Sequence, residues 1–238
     1  MKKSRPFYQK DLKELLLCMW IFKSCMIKSE RDKLSYQMKA YQLIEQEVFL
    51  MQLKYKNIIL RDMVESDIED YVRWFTTQTE WTNTDAPWEP IESDKETERA
   101  SWHKYYESVK ELTADVCRWK FEIEYNGRHI GWVSSYAIDE HYEWVDEVKD
   151  GQTVHRAIGI DICESDVWGN GIGTNALNAF IKYYFENGVD ELYTQTWSGN
   201  VRMIRCAEKL GFVECNRNIG MREVEGKLYD GLTFKLEK

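Results

Sequence analysis

Apolar residues recur along this chain at two periods, and the switches between them mark out the elements. Over the first fifty residues the apolar positions fall at three- and four-residue steps, which predicts amphipathic helices over about 9–27 and 30–50. Met51 then opens a strand-like run to Leu60 that reads as the start of a domain. Residues 1–50 are accordingly a helical extension, or an upstream read-in ahead of a start at Met51; 51–238 is the domain proper. Ser66 with Glu69 three residues on predicts a capping box, and the helix behind it presents Ile68, Tyr71, Val72 and Phe75. Residues 79–98, with Pro87 and Pro90, read as a loop, and 99–111 as a helix.

Arg118–Tyr125, Asn126-Gly127 and His129–Ile138 predict a hairpin on a type I′ turn. Arg156–Cys163 alternates as a strand with Ile158, Ile160 and Ile162 on one face. After a glycine-rich turn a helix presents Ala176, Leu177, Phe180, Ile181 and Tyr184. Glu191–Trp197 is a strand, Asn200–Leu210 a helix closed by Gly211, and Phe212–Asn218 and Leu228–Leu236 are strands. Antiparallel strands, then strand–helix–strand–helix, then strands again make an α/β (α+β) domain with a mixed sheet.

Composition narrows the class. The 238 residues are 43% hydrophobic and include ten Trp, fourteen Tyr and nine Phe, enough for a sizeable core and incompatible with disorder as the dominant state. No apolar run is long enough to span a bilayer, so no membrane partner is expected. The longest near the N-terminus, Leu15–Phe22, is flanked by Lys13, Glu14 and Lys23 and has no cleavage site after it, unlike a signal peptide. A net charge of −9 argues against a nucleic-acid partner. The six cysteines are scattered with no zinc-site spacing, so no metal is expected and the thiols suit a reducing, cytoplasmic setting. Charge is uneven: residues 1–50 carry +4 and the remainder −13, with acids concentrated in 79–98 and 139–150.

Two constellations carry chemistry. The first is Val167-Trp168-Gly169-Asn170-Gly171-Ile172-Gly173-Thr174, between a strand and a helix. Alternate glycines let a ligand approach the backbone, and the helix start offers free N–H groups and a positive dipole end, which together suit a pyrophosphate. No Gly-Lys-Ser/Thr follows, so it is not a P-loop, and Thr174 stands where a dinucleotide fingerprint needs its third glycine. A tight strand–helix connection is the plainer alternative. The second constellation is Asn200-Val-Arg-Met-Ile-Arg-Cys-Ala-Glu-Lys-Leu-Gly-Phe212.

With both motifs in this order, the chain resembles the GNAT superfamily of acetyl-CoA-dependent N-acetyltransferases from about Met51 onward, most specifically over 156–213. Within it the chain resembles the ribosomal-protein N-terminal (Rim-type) and aminoglycoside 6′-N-acetyltransferase branches. The resemblance implies a mixed, mostly antiparallel central sheet flanked by helices, with acetyl-CoA as co-substrate. It implies that Trp168, Gly169, Asn170, Gly171, Ile172, Gly173 and Thr174 hold the coenzyme pyrophosphate, and that the backbone of Ile162 and Cys163 pairs with the pantetheine arm. Asn200 is implied to bond the pantetheine, and is equally a helix N-cap. Trp168 departs from the family's Arg/Gln, which removes one charge contact with phosphate.

Transfer requires an amine to lose a proton, attack the thioester and expel thiolate. Asp161 points away from the isoleucine face, and burial beside other acids raises a carboxylate's pKa toward that of a working base. Its Gly-Ile-Asp strand also resembles that of aminoglycoside 6′-N-acetyltransferases. Glu164 is the second candidate. The position where many family members carry a tyrosine acid, seven residues after the motif asparagine, is Ala207. Cys163 and Cys206 have no histidine near them in sequence, against a thiol mechanism. The acidic stretches bracket Trp81, Trp88, Tyr142 and Trp144, which suits a small cationic amine (aminoglycoside- or polyamine-like), while the Rim-type likeness implies a protein N-terminus. A non-catalytic acyl-CoA-binding regulatory module is the alternative, and assembly as a homodimer is left open.

Overall fold

The computed structural model describes residues 50–238, so the helices expected within 1–50 lie outside the described residues. The strands are β1 (Gln52–Tyr55), β2 (Ile58–Arg61), β3 (Lys120–Tyr125), β4 (Arg128–Ile138), β5 (Trp144–Val145), β6 (His155–Ile162), β7 (Glu191–Trp197), β8 (Val213–Val224) and β9 (Lys227–Glu237). The helices are α1 (Asp67–Thr76), α2 (Lys95–Lys110), α3 (Ile172–Glu186) and α4 (Val201–Lys209), with 3-10 turns at Glu80–Asn83 and Ser165–Val167. One sheet runs β1-β2-β3-β4-β6-β7-β9-β8, with β5 paired to β4. Every pairing is antiparallel except β6 with β7.

Alternation along the strands divides the core between the two faces. Phe121 and Ile123 of β3, Val133 of β4 and Ile158 of β6 pack against Ala176, Leu177, Phe180 and Tyr184 of α3. Trp132 of β4 packs on the other face against Tyr71, Val72 and Trp74 of α1 and Val109 of α2. That second face is unusually polar at its base. Arg61 grips Asp67 at 2.7 and 2.8 Å, and buried Arg118 grips buried Asp62 at 3.0 Å.

Several expectations change. The run from Met51 to Leu60 is two short strands, because Lys56 adopts φ +51° and turns the chain back at Lys56-Asn57. The capping box does not form. Ser66 makes no side-chain cap, Glu69 pairs with Arg99, and the carboxylate of Asp67 accepts the Val64 N–H instead. α2 starts four residues earlier than expected, because Asp94 caps it through Glu96 and Thr97. The acidic stretch 139–150 holds β5, and β8 and β9 extend to a turn at Glu225-Gly226 with φ +50° and +77°. The Asn126-Gly127 turn forms as expected, at φ +51° and +74°. α4 also ends as expected: Gly211 at φ +89° lets the Phe212 N–H reach the Ala207 carbonyl at 3.1 Å.

Candidate active site

The site is built where the two parallel strands separate. β6 and β7 share a single register pair, Ala157 with Tyr193; beyond it β6 stays with β4 and β7 with β9. Peptide groups alternate in direction along a strand, so those of Ile158, Ile160 and Ile162 face the gap. The Ile158 carbonyl accepts from Thr194 Oγ1 at 2.8 Å and the Ile162 carbonyl from Trp168 Nε1 at 2.8 Å, which leaves Ile160 open between them. Cys163 faces the other way. Its N–H donates to the Ile130 carbonyl at 2.9 Å and its side chain is buried beside the α1 core, so it does not reach the gap. Of the two residues expected to offer their backbone, Ile162 faces the gap and Cys163 does not, and strand alternation makes Ile160 the other residue whose peptide groups face it.

A cavity of about 300 Å³ fills this gap, lined by Ile160, Ile162, Trp168, Gly169, Gly171, Ile172, Gly173 and Thr174 and, from α4, by Arg202, Met203, Arg205, Cys206 and Lys209. Gly169 and Gly171 adopt φ +81° and +74°, which a side chain disfavours, and Gly171 opens α3 with no side-chain cap. The first N–H groups of α3 therefore lack a capping side chain at the cavity, and no acid lies in that first turn. Asn170 does not line the cavity; its amide is turned back to the Val167 carbonyl at 3.3 Å. Asn200 caps α4 through the Met203 N–H at 3.0 Å and donates its amide to the Thr84 carbonyl at 2.6 Å.

A second cavity, about 440 Å³, adjoins the first through Ile160, Asn200 and Met203, which line both. Its floor is Tyr136, Gly159, Asp161, Gln195 and Thr233, and its walls include Asp85, Trp88, Glu89, Tyr142, Glu143, Trp144 and Trp197. Thr84–Glu89 forms a roof: the Thr84 carbonyl also accepts from Trp197 Nε1 at 3.0 Å, and the Trp88 ring lies against Trp197 and under Arg222. Trp81, expected beside these aromatics, is instead buried in the core and donates to the Trp74 carbonyl at 3.1 Å.

Asp161 is the acid at the junction. Burial, then the facing carboxylate of Asp85, push it well above the usual carboxylate range, while Lys120 pulls the other way. Asp85 is itself raised, by burial and by Glu89. Lys120 is buried on the same face of the sheet, its ammonium 4.4–5.0 Å from the ring centroids of Trp102, Tyr71, Tyr105 and Trp132.

Glu164 does not join Asp161. Its Oε1 accepts from Arg73 at 2.7 Å and from Trp74 Nε1 at 2.9 Å, and its Oε2 from Arg128 at 3.1 Å. A carboxylate committed to two arginines, and lining neither cavity, is an ion-pair anchor rather than a base. Ala207 is buried in the core and brings no proton donor to either cavity. Burial raises the thiols of Cys163 and Cys206, leaving neither poised as a thiolate. Among the described residues Asp67, Asp70 and His129 group like metal ligands, but Arg61 and Arg73 already neutralise the two carboxylates. The sequence reading missed Asp85, Tyr136 and Ile160. Asp85 was visible only as one of seven acids in 79–98.

A glycine turn at a helix start, set against a gap between two splayed parallel strands with a second cavity at its inner end, is the arrangement of an acyl-coenzyme transferase. Residues 57–213 match the profile of the acetyltransferase (GNAT) domain. The chain belongs to the GNAT family, as an acetyl-CoA-dependent N-acetyltransferase. Among solved structures it is similar to the ribosomal-protein-S5-alanine acetyltransferase from Vibrio fischeri, with 18% identity, TM-score 0.59, and coverage of 79% of this chain and 96% of that one. It is similar also to RimL, a ribosomal-protein alpha-N-acetyltransferase in complex with coenzyme A, at 16% identity, TM-score 0.58, covering 79% and 98%. A third is yncA from Salmonella typhimurium with its cofactor acetyl-CoA, at 18% identity, TM-score 0.55, covering 76% and 94%. No curated protein matches the chain. No helix among the described residues is long and apolar enough to cross a membrane.

Proposed function

We propose that the smaller cavity takes acetyl-CoA and the larger one the acceptor, with transfer by direct attack in a ternary complex. The observation that carries this reading is the junction: both cavities share Ile160, Asn200 and Met203, and Asp161 lies at that point on the acceptor side. The pyrophosphate sits on the N–H groups at Gly169–Thr174, and the pantetheine pairs with the open backbone of Ile160 and the Ile162 N–H. Asn200 meets the pantetheine once its amide leaves the Thr84 carbonyl. The amine nitrogen attacks the thioester carbonyl, its proton passes to Asp161 directly or through water, and the C–S bond breaks to release coenzyme A thiolate. Four carboxylates and five aromatic rings around the larger cavity, against Arg222 as its one cationic lining residue, support a small cationic amine over a protein N-terminus as acceptor.

The test is thiol release from acetyl-CoA, screened over aminoglycosides, polyamines and N-terminal peptides. Asp161→Asn is expected to lower kcat/KM by roughly 10²- to 10⁴-fold while coenzyme affinity holds. In the wild type kcat/KM rises with pH through an acid limb lying above the ordinary carboxylate range, because the base is the ionised form of a group whose pKa is raised. That limb is absent in the variant. Turnover that survives Asp161→Asn with its pH profile intact removes Asp161 from the chemistry.

A further inference from the structure

Lys120 is a buried charge that lines neither of the two cavities. It opens β3, and the rings of Trp102, Tyr71, Tyr105 and Trp132 enclose its ammonium. Burying an ammonium is costly unless charge and hydrogen bonds answer it, and π faces answer only part. The carboxylates nearby are otherwise engaged. Glu122 Oε1 stands 3.9 Å away, beyond a hydrogen bond, while its Oε2 accepts from the Tyr71 hydroxyl at 2.5 Å and lies 3.0 Å from His129 Nε2. Asp67 of α1 holds Arg61 through both oxygens.

The strand register shows what else this charge faces. Residues directly opposed across neighbouring strands put their side chains on one face of the sheet, and so do residues two apart on one strand. Lys120 stands opposite Ser134 of β4, and Ser134 opposite Gly159 of β6. The next row on that face is Glu122, Trp132 and Asp161. Ser134 and Gly159 both line the larger cavity and put little bulk between Lys120 and Asp161. Trp132, the direct cross-strand neighbour of Asp161, is also one of the four rings around the ammonium, at 5.0 Å. Asp161 is faced in addition by Asp85 from the roof, with Glu89 behind it, by Tyr136 from β4 and by Cys163 beyond the end of β6. Burial raises the Tyr136 phenol and the Cys163 thiol, so neither is charged at neutral pH. Lys120 is the cation of this set, and it opposes the acids.

We propose that Lys120 is a positioning residue for the transfer: from its ring of aromatics it supplies the positive charge that lets Asp161 ionise beside Asp85 and take the proton of the acceptor amine. The aromatic enclosure fixes the ammonium and keeps it away from the acceptor, so the charge acts on the base through the sheet face without competing with a cationic substrate for the cavity. This rests on the reading of Asp161 as the base.

The test is kcat/KM across pH for the full chain, with acetyl-CoA and the amine that gives the fastest thiol release, in wild type, Lys120→Met and Lys120→Arg. Without the cation the carboxylate holds its proton more tightly. In Lys120→Met the acid limb is therefore expected to move up by about one pH unit, so that kcat/KM falls about tenfold on the acid side and regains the wild-type level on the alkaline side. The ionisation of the amine is common to all the chains and cancels in the comparison. Coenzyme affinity holds within about twofold, and Lys120→Arg, which keeps a charge among the rings, keeps the limb in place. Lys120→Gln serves as a second neutral variant, and thermal unfolding shows which variants fold. A limb that stays put in a folded neutral variant overturns the proposal, and so does an equal loss at every pH. Neutral variants that both fail to fold while Lys120→Arg folds assign the ammonium to stability and overturn it as well. A wild type that acetylates no amine, or an Asp161→Asn chain that keeps the limb, removes the base itself, which is a different result.

Discussion

His129 offers a stability test whose sign is fixed by its surroundings. Its ring is buried beside Trp74, with Nδ1 3.2 Å from Asp70 and Nε2 3.0 Å from Glu122. Burial works against the charged ring, but the hydrogen bonds to Asp70 and Glu122, helped by Asp67, outweigh it and raise the pKa from 6.5 to about 9. A histidine whose folded pKa is raised stabilises the fold fully below its unfolded value and loses that contribution as pH climbs through the folded one. The window is therefore about pH 6.5 to 9. At 1.36 kcal/mol per unit, the shift amounts to about 3 kcal/mol, with a slope of up to about 1.4 kcal/mol per pH unit inside the window.

The perturbation is His129→Gln, which keeps donors near the carboxylates but cannot take a proton. Urea denaturation of wild type and variant, at half-unit steps from pH 6 to 9.5, gives the difference in unfolding free energy, in which the shared titrations of other groups largely cancel. The expected difference is about 3 kcal/mol in favour of wild type at pH 6, shrinking toward a small residue at pH 9.5. A difference that stays flat across the window refutes the reasoning, because it means that His129 carries the same charge in the folded and unfolded chains.

Two substitutions test the architecture of the junction. Gly159 floors the larger cavity, and a Cβ there meets nothing closer than the Tyr136 ring at 3.9 Å, so Gly159→Val folds but fills acceptor space. The acceptor KM is expected to rise about tenfold with coenzyme affinity held within twofold; steady-state kinetics and titration separate the two, and an unchanged KM removes this cavity as the acceptor site. Gly131 adopts φ +149° opposite Ile162, and a Cβ there lies 2.0 Å from the Asp161 carbonyl oxygen. Gly131→Ala must push β4 and β6 apart at the base, at a cost of about 3 kcal/mol or more, read as a lowered denaturation midpoint; a variant as stable as wild type contradicts the close approach.

What the sequence made legible was local. Ile158, Ile160 and Ile162 alternate because β6 buries one face, so Asp161 on the other face could be named before any contact was known. Gly211 and the Asn126-Gly127 pair stand where the backbone needs positive φ, and their turns form at the expected places. The errors arose where a distant partner decided the outcome. Glu164 has the composition of a catalytic acid, but Arg73 and Arg128 arrive from 91 and 36 residues away to occupy it. The Ser66–Glu69 pair satisfies a local pattern, yet Arg99 from α2 takes Glu69 and Asp67 serves the backbone in place of Ser66. Trp81 and Trp88 look alike as loop aromatics; only the packing of the loop sends the first into the core and leaves the second on the roof.

The orientation of Cys163 is different in kind, because the signal was present. Alternation that turns side chains to opposite faces also turns peptide groups to opposite edges. Once Ile158, Ile160 and Ile162 are assigned to one face, their N–H and C=O groups share an edge, and Cys163 must address the other. The glycine turn after β6 and the parallel return of β7 identify which edge opens: the one shared with β7, where pairing stops at Ala157. Ile160 and Ile162 then follow, with Cys163 excluded by its bond to Ile130. The gap is thus a consequence of strand geometry as much as of composition. Where β7 leaves β6, the edge must find other partners; Thr194 and Trp168 supply two, and the third is left at Ile160, beside the carboxylate that the same alternation delivers to the larger cavity.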